Sequence, residues 1–481
     1  MNSIQWIQLL VALSFLVVIH EFGHFMWARI FKVRVEKFYI FFNPKFTLFK
    51  MKKWGGKWHY AFLSKNTNDS EWEKNEPDNT EWGIGWVPFG GYCAISGMVD
   101  ETHNADQMVS EPQPWEFRSR KPWQRMLIIL GGIINNFLGA LIIFSIMMGV
   151  WGKTELPLDT IDRGLYFSDF LQNEGFRNGD RIISIDDVQP TDLSDILNGL
   201  IIDGKQHVRV QRGDRVIELN MPEDLGPRFL ELSNNFDKVE RQKSHDDPTY
   251  QKRHYILVSY YVPFIVDSVL VNHPAYFGGI EKGDSIVSVS GVTTPCIAMV
   301  QNELQRHACD SVVIGYYRAG EYGEARIFIG DHGTMGAFME PITAFYEPVH
   351  TEYNILTAIP AGVEYAWDLL TMYVHQFRLV FTKAGAQSLG GFGAIGNMFP
   401  KLWDWYSFWH MTAFLSLILA FMNFLPIPAL DGGYFLLILI EMITGRQLPD
   451  KWLERINNIG FWLLMILLIY ANANDVFKAF F

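Results

Sequence analysis

His20-Glu21-Phe22-Gly23-His24 lies inside an apolar stretch that runs from Ile4 to Phe31. Residues four apart share one face of a helix, so the two imidazoles can address a single metal ion. Glu21, beside the first imidazole, is placed to act as general base toward water at that ion. An ionisable side chain at the centre of a lipid-spanning helix costs about 3 kcal/mol. Three of them within five residues therefore point to a site. The apolar stretch lacks a basic leader and a small-residue cleavage signal, so it reads as a retained membrane span and not a removable signal peptide.

Working outward, three more spans are expected: 126–151, an interrupted one over 408–444, and 459–475. Lys32, Arg34, Lys37, Lys45, Lys50, Lys52, Lys53 and Lys57 follow the first span, and Arg118, Arg120, Lys121 and Arg125 precede the second. The excess of basic residues puts 32–125 in the cytoplasm and the N-terminus outside. Parity then puts 152–400 and the C-terminus outside, and Arg446, Lys451 and Arg455 inside. Those last three were not needed to set the orientation, yet they agree with it.

The third span is too long for one helix. From Phe408 to Ile443 a continuous helix would reach about 54 Å at ~1.5 Å per residue, against a hydrocarbon core of ~30 Å. Its middle reads Asn423-Phe424-Leu425-Pro426-Ile427-Pro428-Ala429-Leu430-Asp431-Gly432-Gly433. Two prolines and two glycines interrupt a helix, and unwound backbone at membrane depth must line a cavity or be buried in protein. Asp431 falls on the cytoplasmic half of its span at a depth similar to His24. It supplies a third, oxygen ligand for a His20–His24–Asp431 zinc site with water in the fourth position.

Composition narrows the remaining classes. The chain has 481 residues and a net charge of -12, without a basic tract of nucleic-acid character, so DNA and RNA partners are not expected. Cys93, Cys296 and Cys309 form neither a disulfide framework nor a cysteine zinc site, although Cys296 and Cys309 could pair in an oxidising compartment.

These motifs resemble the site-2 protease family of intramembrane zinc metalloproteases. The resemblance extends to Trp86-Val87-Pro88-Phe89-Gly90-Gly91-Tyr92 in the cytoplasmic loop and to Gly131-Gly132-Ile133-Ile134-Asn135-Asn136-Phe137 in the second span. It is strongest toward the bacterial regulator-of-sigma-E protease subgroup with tandem PDZ domains. It implies a zinc endopeptidase in the bacterial inner membrane that cuts the transmembrane segments of single-span proteins of anti-sigma-factor type, and signal-peptide remnants. Glu21 is then the catalytic base, and Asn423, Asn136, Gly90 and Gly91 serve the substrate. A β-hairpin near 82–98 dips into the inner face, and the extended substrate adds to its edge as a strand. Two departures stand out. The family's Gly-Pro in the second span is Gly132-Ile133 here, and the stretch from about Lys50 to Thr80 is longer and more polar than the family suggests.

The expected fold is therefore a polytopic α-helical membrane protein of four spans with two extracytoplasmic α+β domains. The domains rest on a repeated pattern. Gly179-Asp180-Arg181-Ile182-Ile183-Ser184-Ile185 and Gly283-Asp284-Ser285-Ile286-Val287-Ser288-Val289 each pair a Gly-Asp turn with an alternating strand. Both resemble PDZ domains, here over 152–222 and 257–350, and small β-sandwiches with glycine turns are the alternative. Residues 223–256 are a linker or an elaboration, and 354–385 an amphipathic helix lying on the outer surface. Three competing readings arise. The metzincin pattern fails because Trp27 and Ile30 stand where its glycine and third histidine would be. A transporter would show an inverted repeat, and none is visible. A non-catalytic membrane scaffold presenting the PDZ-like domains is the remaining alternative.

Overall fold

The computed structural model describes residues 2–65, 72, 79–88, 90–98, 111–246, 253, 255–330, 332–446 and 450–480. They divide into two compact units. One comprises 1–152, 352–373 and 390–476, the other 153–351, 374–389 and 477–481.

Four helices of the described residues are long and apolar enough to cross a membrane: α1 (Ser3–Ile30), α2 (Pro122–Trp151), α4 (Trp405–Phe424) and the 455–477 part of α6 (Asp450–Phe480). α1 starts on a reciprocal cap, the Asn2 side chain accepting from the Gln5 N–H while Gln5 accepts from that of Asn2, both at 2.9 Å. α2 starts with Pro122 at its first position, where a missing N–H costs nothing. α4 starts on Asp404, which accepts from the Ser407 N–H at 2.7 Å. It ends at Phe424, and the chain resumes as α5 (Asp431–Thr444). Between them run Pro426 and Pro428, with Ala429 held at a left-handed φ of 72°, a strained conformation for a residue with a Cβ.

α3 (Ile355–Phe377) differs from the amphipathic surface helix expected over 354–385. Its first part packs against α2 and α4 through the small residues Ala358, Gly362 and Ala366, and Tyr365 Oη lies 2.8 Å from His410 Nε2. Ile355, Leu356 and Trp367 point away from this contact and are exposed. Small residues let the two backbones approach, so the buried stripe is the small one and the large apolar side chains face outward.

The segment after α1 builds a five-stranded sheet: β1 (Val35–Ile40), β2 (Phe46–Trp54), β3 (Lys57–Lys65), β4 (Glu81–Ile84) and β5 (Tyr92–Ile95), in the order β3-β2-β4-β1-β5. The hairpin expected near 82–98 is absent. β1 inserts between β4, to which it is parallel, and β5, to which it is antiparallel. The sequence hides this because the strand that separates the two lies some forty residues upstream. The true hairpin is β2–β3, closed by Gly55-Gly56, both at positive φ. It falls in the polar stretch to which the sequence assigns no role. Residues 66–71 and 73–78 of that stretch, and Phe89, lie outside the described residues. One face of the sheet packs Phe38 and Trp82 on Phe25 of α1 and continues through Phe49 to exposed Tyr60 and Phe62.

The second unit contains two domains. In the first, Arg181–Ile185, His207–Arg212 and Arg215–Asn220 form an antiparallel sheet, and Leu165–Phe167 pairs with Val258–Tyr260. The boundary expected at 257 therefore assigns a strand of the first domain, Val258–Tyr260, to the second, whose own sheet begins at Phe264. Residues 225–246 form a helix that packs Leu225 and Phe229 into the first core; this elaborates the domain and does not link it to the next. In the second domain the strand order is Glu321–Phe328, Ser311–Arg318, Ser285–Val289, Phe264–Val269, Ala337–Met339. Each repeated Gly-Asp turn carries the same clamp. Arg212 holds Asp180 with two bonds of 2.7 Å and the Gly175 carbonyl at 2.8 Å. Arg318 holds Asp284 at 2.7 and 2.8 Å and the Gly279 carbonyl at 2.7 Å. Cys296 is buried and Cys309 exposed, and both are free thiols, so the pairing considered for them does not form.

Candidate metal centre

His20 and His24 project from one face of α1, and Asp431 is the first residue of α5. Their ligand atoms meet in a triangle. His20 Nε2 lies 3.1 Å and His24 Nε2 3.5 Å from Asp431 Oδ2, and the two Nε2 atoms are 3.2 Å apart. A tetrahedral zinc ion with bonds of about 2.0–2.1 Å requires ligand separations of about 3.3–3.4 Å. Asp431 Oδ2 is buried and makes no hydrogen bond of acceptable geometry, although it faces two ring nitrogens. Such an oxygen is costly unless something else satisfies it, and a cation held by all three atoms does so. Among the described residues this is the one cluster of three or more histidine, cysteine or acidic side chains able to hold a metal.

The other ring nitrogens are also engaged. His24 Nδ1 lies 2.9 Å from the Ile128 carbonyl; only a protonated Nδ1 can use that acceptor, which leaves the Nε2 lone pair for a metal. His20 Nδ1 lies 3.3 Å from the side-chain amide of Asn136. With the amide turned over, its oxygen accepts the Nδ1 proton and fixes the same tautomer in His20. That oxygen is otherwise a buried acceptor without a partner.

The sequence profile of peptidase family M50 matches residues 8–64 and 71–467, a range that includes both ligand-bearing segments. The chain belongs to peptidase family M50. Three curated relatives, each named "Putative zinc metalloprotease", align over nearly the full length of both chains. The one from Vibrio cholerae is 26% identical over 99% of each chain, and the one from Xylella fastidiosa (strain 9a5c) 26% over 98% of each. That from Borreliella burgdorferi is 23% identical over 97% of this chain and 96% of its own.

In this M50 peptidase Glu21 is half-buried and adjacent to His20. Asn136, assigned to substrate by the resemblance, is only 1% exposed, and its side-chain amide faces His20. Asn423 is half-buried in the last turn of α4, just before the break. Gly90 and Gly91 precede β5. A Cβ on Gly91 would sit 3.3 Å from Val17 Cγ1, so the start of this edge strand runs close to α1, one turn before His20.

The sequence marks Gly132 as part of a motif without showing its purpose, which is to make the convergence possible. A Cβ on Gly132 would stand 2.5 Å from both His20 Cε1 and His24 Nε2. Gly23 and Gly131 permit the helix crossing that brings it there, since a Cβ on Gly23 would lie 2.1 Å from the Gly131 carbonyl oxygen. The visible signal was a Gly-Gly pair inside an otherwise apolar span.

Proposed function

We propose that this M50 peptidase is an intramembrane zinc metalloendopeptidase that cleaves transmembrane segments of single-span membrane proteins. The observation that carries the reading is the convergence of His20, His24 and Asp431, from two distant helices that the sequence reads as membrane spans. Zinc, the ion in the names of the relatives, suits two imidazoles and one carboxylate, and when bound it supplies Lewis acidity to water and to the scissile carbonyl. Glu21 takes the proton released as water attacks and delivers it to the leaving amine. His24, through the Ile128 carbonyl, and His20, through Asn136, keep their tautomers through the cycle.

A helical substrate shields its own peptide bonds and must be unwound before it is cut. β5, the end strand of its sheet, offers main-chain groups on which an unwound segment pairs. Gly91, beside Val17, brings that edge toward the site. Asn423 is suited to bond substrate backbone beside the break. The repeated Arg–Asp clamp supports two PDZ-like domains of common design. The basic residues after α1 and before α2 favour a bacterial inner-membrane topology in which these domains and both termini are extracytoplasmic. Single-span proteins of anti-sigma type are the proposed substrates.

Glu21→Gln separates chemistry from binding. The purified variant is expected to carry about one zinc per chain, like the wild type, and to leave a reporter transmembrane segment uncut. Cleavage at the wild-type rate would remove Glu21 from the role of base.

A further inference from the structure

α2 donates no ligand, yet it touches both imidazoles. The Ile128 carbonyl meets His24, Gly132 lies beneath both imidazoles, and Asn136 meets His20. These positions follow one another at intervals of four, and Arg125 extends the row by three residues toward the start of the helix. They form a single stripe on its surface. Arg125 is buried and ion-paired with Glu441 of α5, the helix whose first residue is Asp431. The break at 425–430 interrupts the helical hydrogen-bond ladder between α4 and α5. Beyond the first turn of α5, Tyr434, Phe435 and Ile438 join the apolar cluster that holds Ile128 and Ile129 of α2, while Leu436, Ile440 and Ile443 are exposed. Apolar contacts of this kind hold two helices together but tolerate a small slide or rotation. A buried ion pair does not, because an unmatched charge there costs several kcal/mol. An apolar pair would pack as well at lower desolvation cost, so the charges argue for register.

We infer that Arg125 and Glu441 are positioning residues that fix the register of α5 on α2, and with it the place of Asp431 in the metal site. This rests on the metal-site reading above. The test measures metal affinity by chelator competition, and the visible spectrum of the cobalt-substituted protein, for full-length wild type and three variants in detergent. The variants are Arg125→Met, Glu441→Gln and the double Arg125→Met/Glu441→Met. The double variant removes both charges while keeping the volume, and is the one that keeps a well-packed fold. If the pair sets register, it weakens metal binding about 10–100-fold, as loss of ligand-orienting groups does, with an altered cobalt spectrum at unchanged apo stability. Either single variant that folds weakens binding at least as much. Wild-type affinity and spectrum in the double variant would overturn the inference, leaving the pair a packing device. A wild-type protein that takes up no metal would instead remove the metal-site reading, a separate result.

Discussion

Gly132→Ala puts one methyl group into the centre of the proposed site. Its Cβ would lie 2.5 Å from His20 Cε1 and from His24 Nε2, and 2.7 Å from His20 Nδ1, whereas ordinary contact begins at 3.4 Å. The shortfall is about 0.9 Å, and metal–ligand distances tolerate only about 0.2 Å. Retreat of α2 is opposed by α4, whose Ser416 hydroxyl donates to the Asn136 carbonyl and whose Ala413 and Leu417 pack with Ala140 and Phe144. The imidazoles must therefore swing away, and metal affinity should fall about 100-fold, the upper end of what ligand-orienting changes cost. Alanine is meanwhile the better helix former by about 1 kcal/mol, so the apo protein has no helix-propensity reason to be less stable. Gly139→Ala is the internal control. It makes the same change in the same helix, but its methyl would meet Ile19 and Ser416 at 3.7–3.9 Å, in ordinary contact. Chelator competition and cleavage of a reporter segment, run on both variants beside the wild type, read the difference. Equal metal affinity in the two variants would refute the claim that the imidazoles converge over Gly132.

Two further outcomes are expected. Asn136→Leu removes the partner of His20 Nδ1 at nearly constant volume and should weaken metal binding about 10–100-fold, while Asn136→Asp, which keeps an acceptor, retains more of it; metal competition decides, and equal affinity in both would deny Asn136 its orienting role. In the second extracytoplasmic domain, burial alone would raise the carboxyl pKa of Asp284, but the bonds from Arg318 and from the Glu281 N–H outweigh it and hold it below the usual range. Its stabilisation is thus complete above the unfolded value of about 3.9 and is lost as the pH falls through the lower folded value. Asp284→Asn should cost about 2 kcal/mol at neutral pH and flatten the acid limb, as read by hydrogen exchange in Ser285–Val289 of the whole protein.

What could be read from the sequence was whatever is local or is set by a length limit. The spacing of His20 and His24 carries its own geometry, because four residues on a helix always share a face. The break before Asp431 was legible because a membrane has a thickness, and Pro426 and Pro428 forbid one long helix. Pairings that join distant segments were not legible. Nothing in Glu81–Ile84 or Tyr92–Ile95 announces that Val35–Ile40 lies between them, since two short strands joined by Gly-rich chain look alike whether they pair or flank a third. The same holds for Val258–Tyr260, which completes the first domain from beyond a 22-residue helix. Gly132 was visible as a glycine, but its purpose depends on the crossing of α1 and α2, which no single segment encodes.

The interruption of the third span also has a chemical reason. A carboxylate inside a continuous apolar helix would be surrounded by satisfied backbone and lipid, with nothing to stabilise its charge. As the first residue of α5, Asp431 sits at a helix start, where unpaired N–H groups and the helix dipole favour an anion. Gly432 and Gly433 let the preceding turn fold back over that start, for a Cβ on either would stand within 2.5 Å of the Leu425 or Ile427 carbonyl oxygen. In the proposed site the unwound segment thus delivers an oxygen ligand, and beyond its first turn α5 takes its register from α2 through the Arg125–Glu441 pair. A metal site assembled from two separate helices needs a third element that touches both. α2 meets that need on a single face: the Ile128 carbonyl and Asn136 engage the two imidazoles, and Arg125 engages Glu441 of the helix that begins with Asp431.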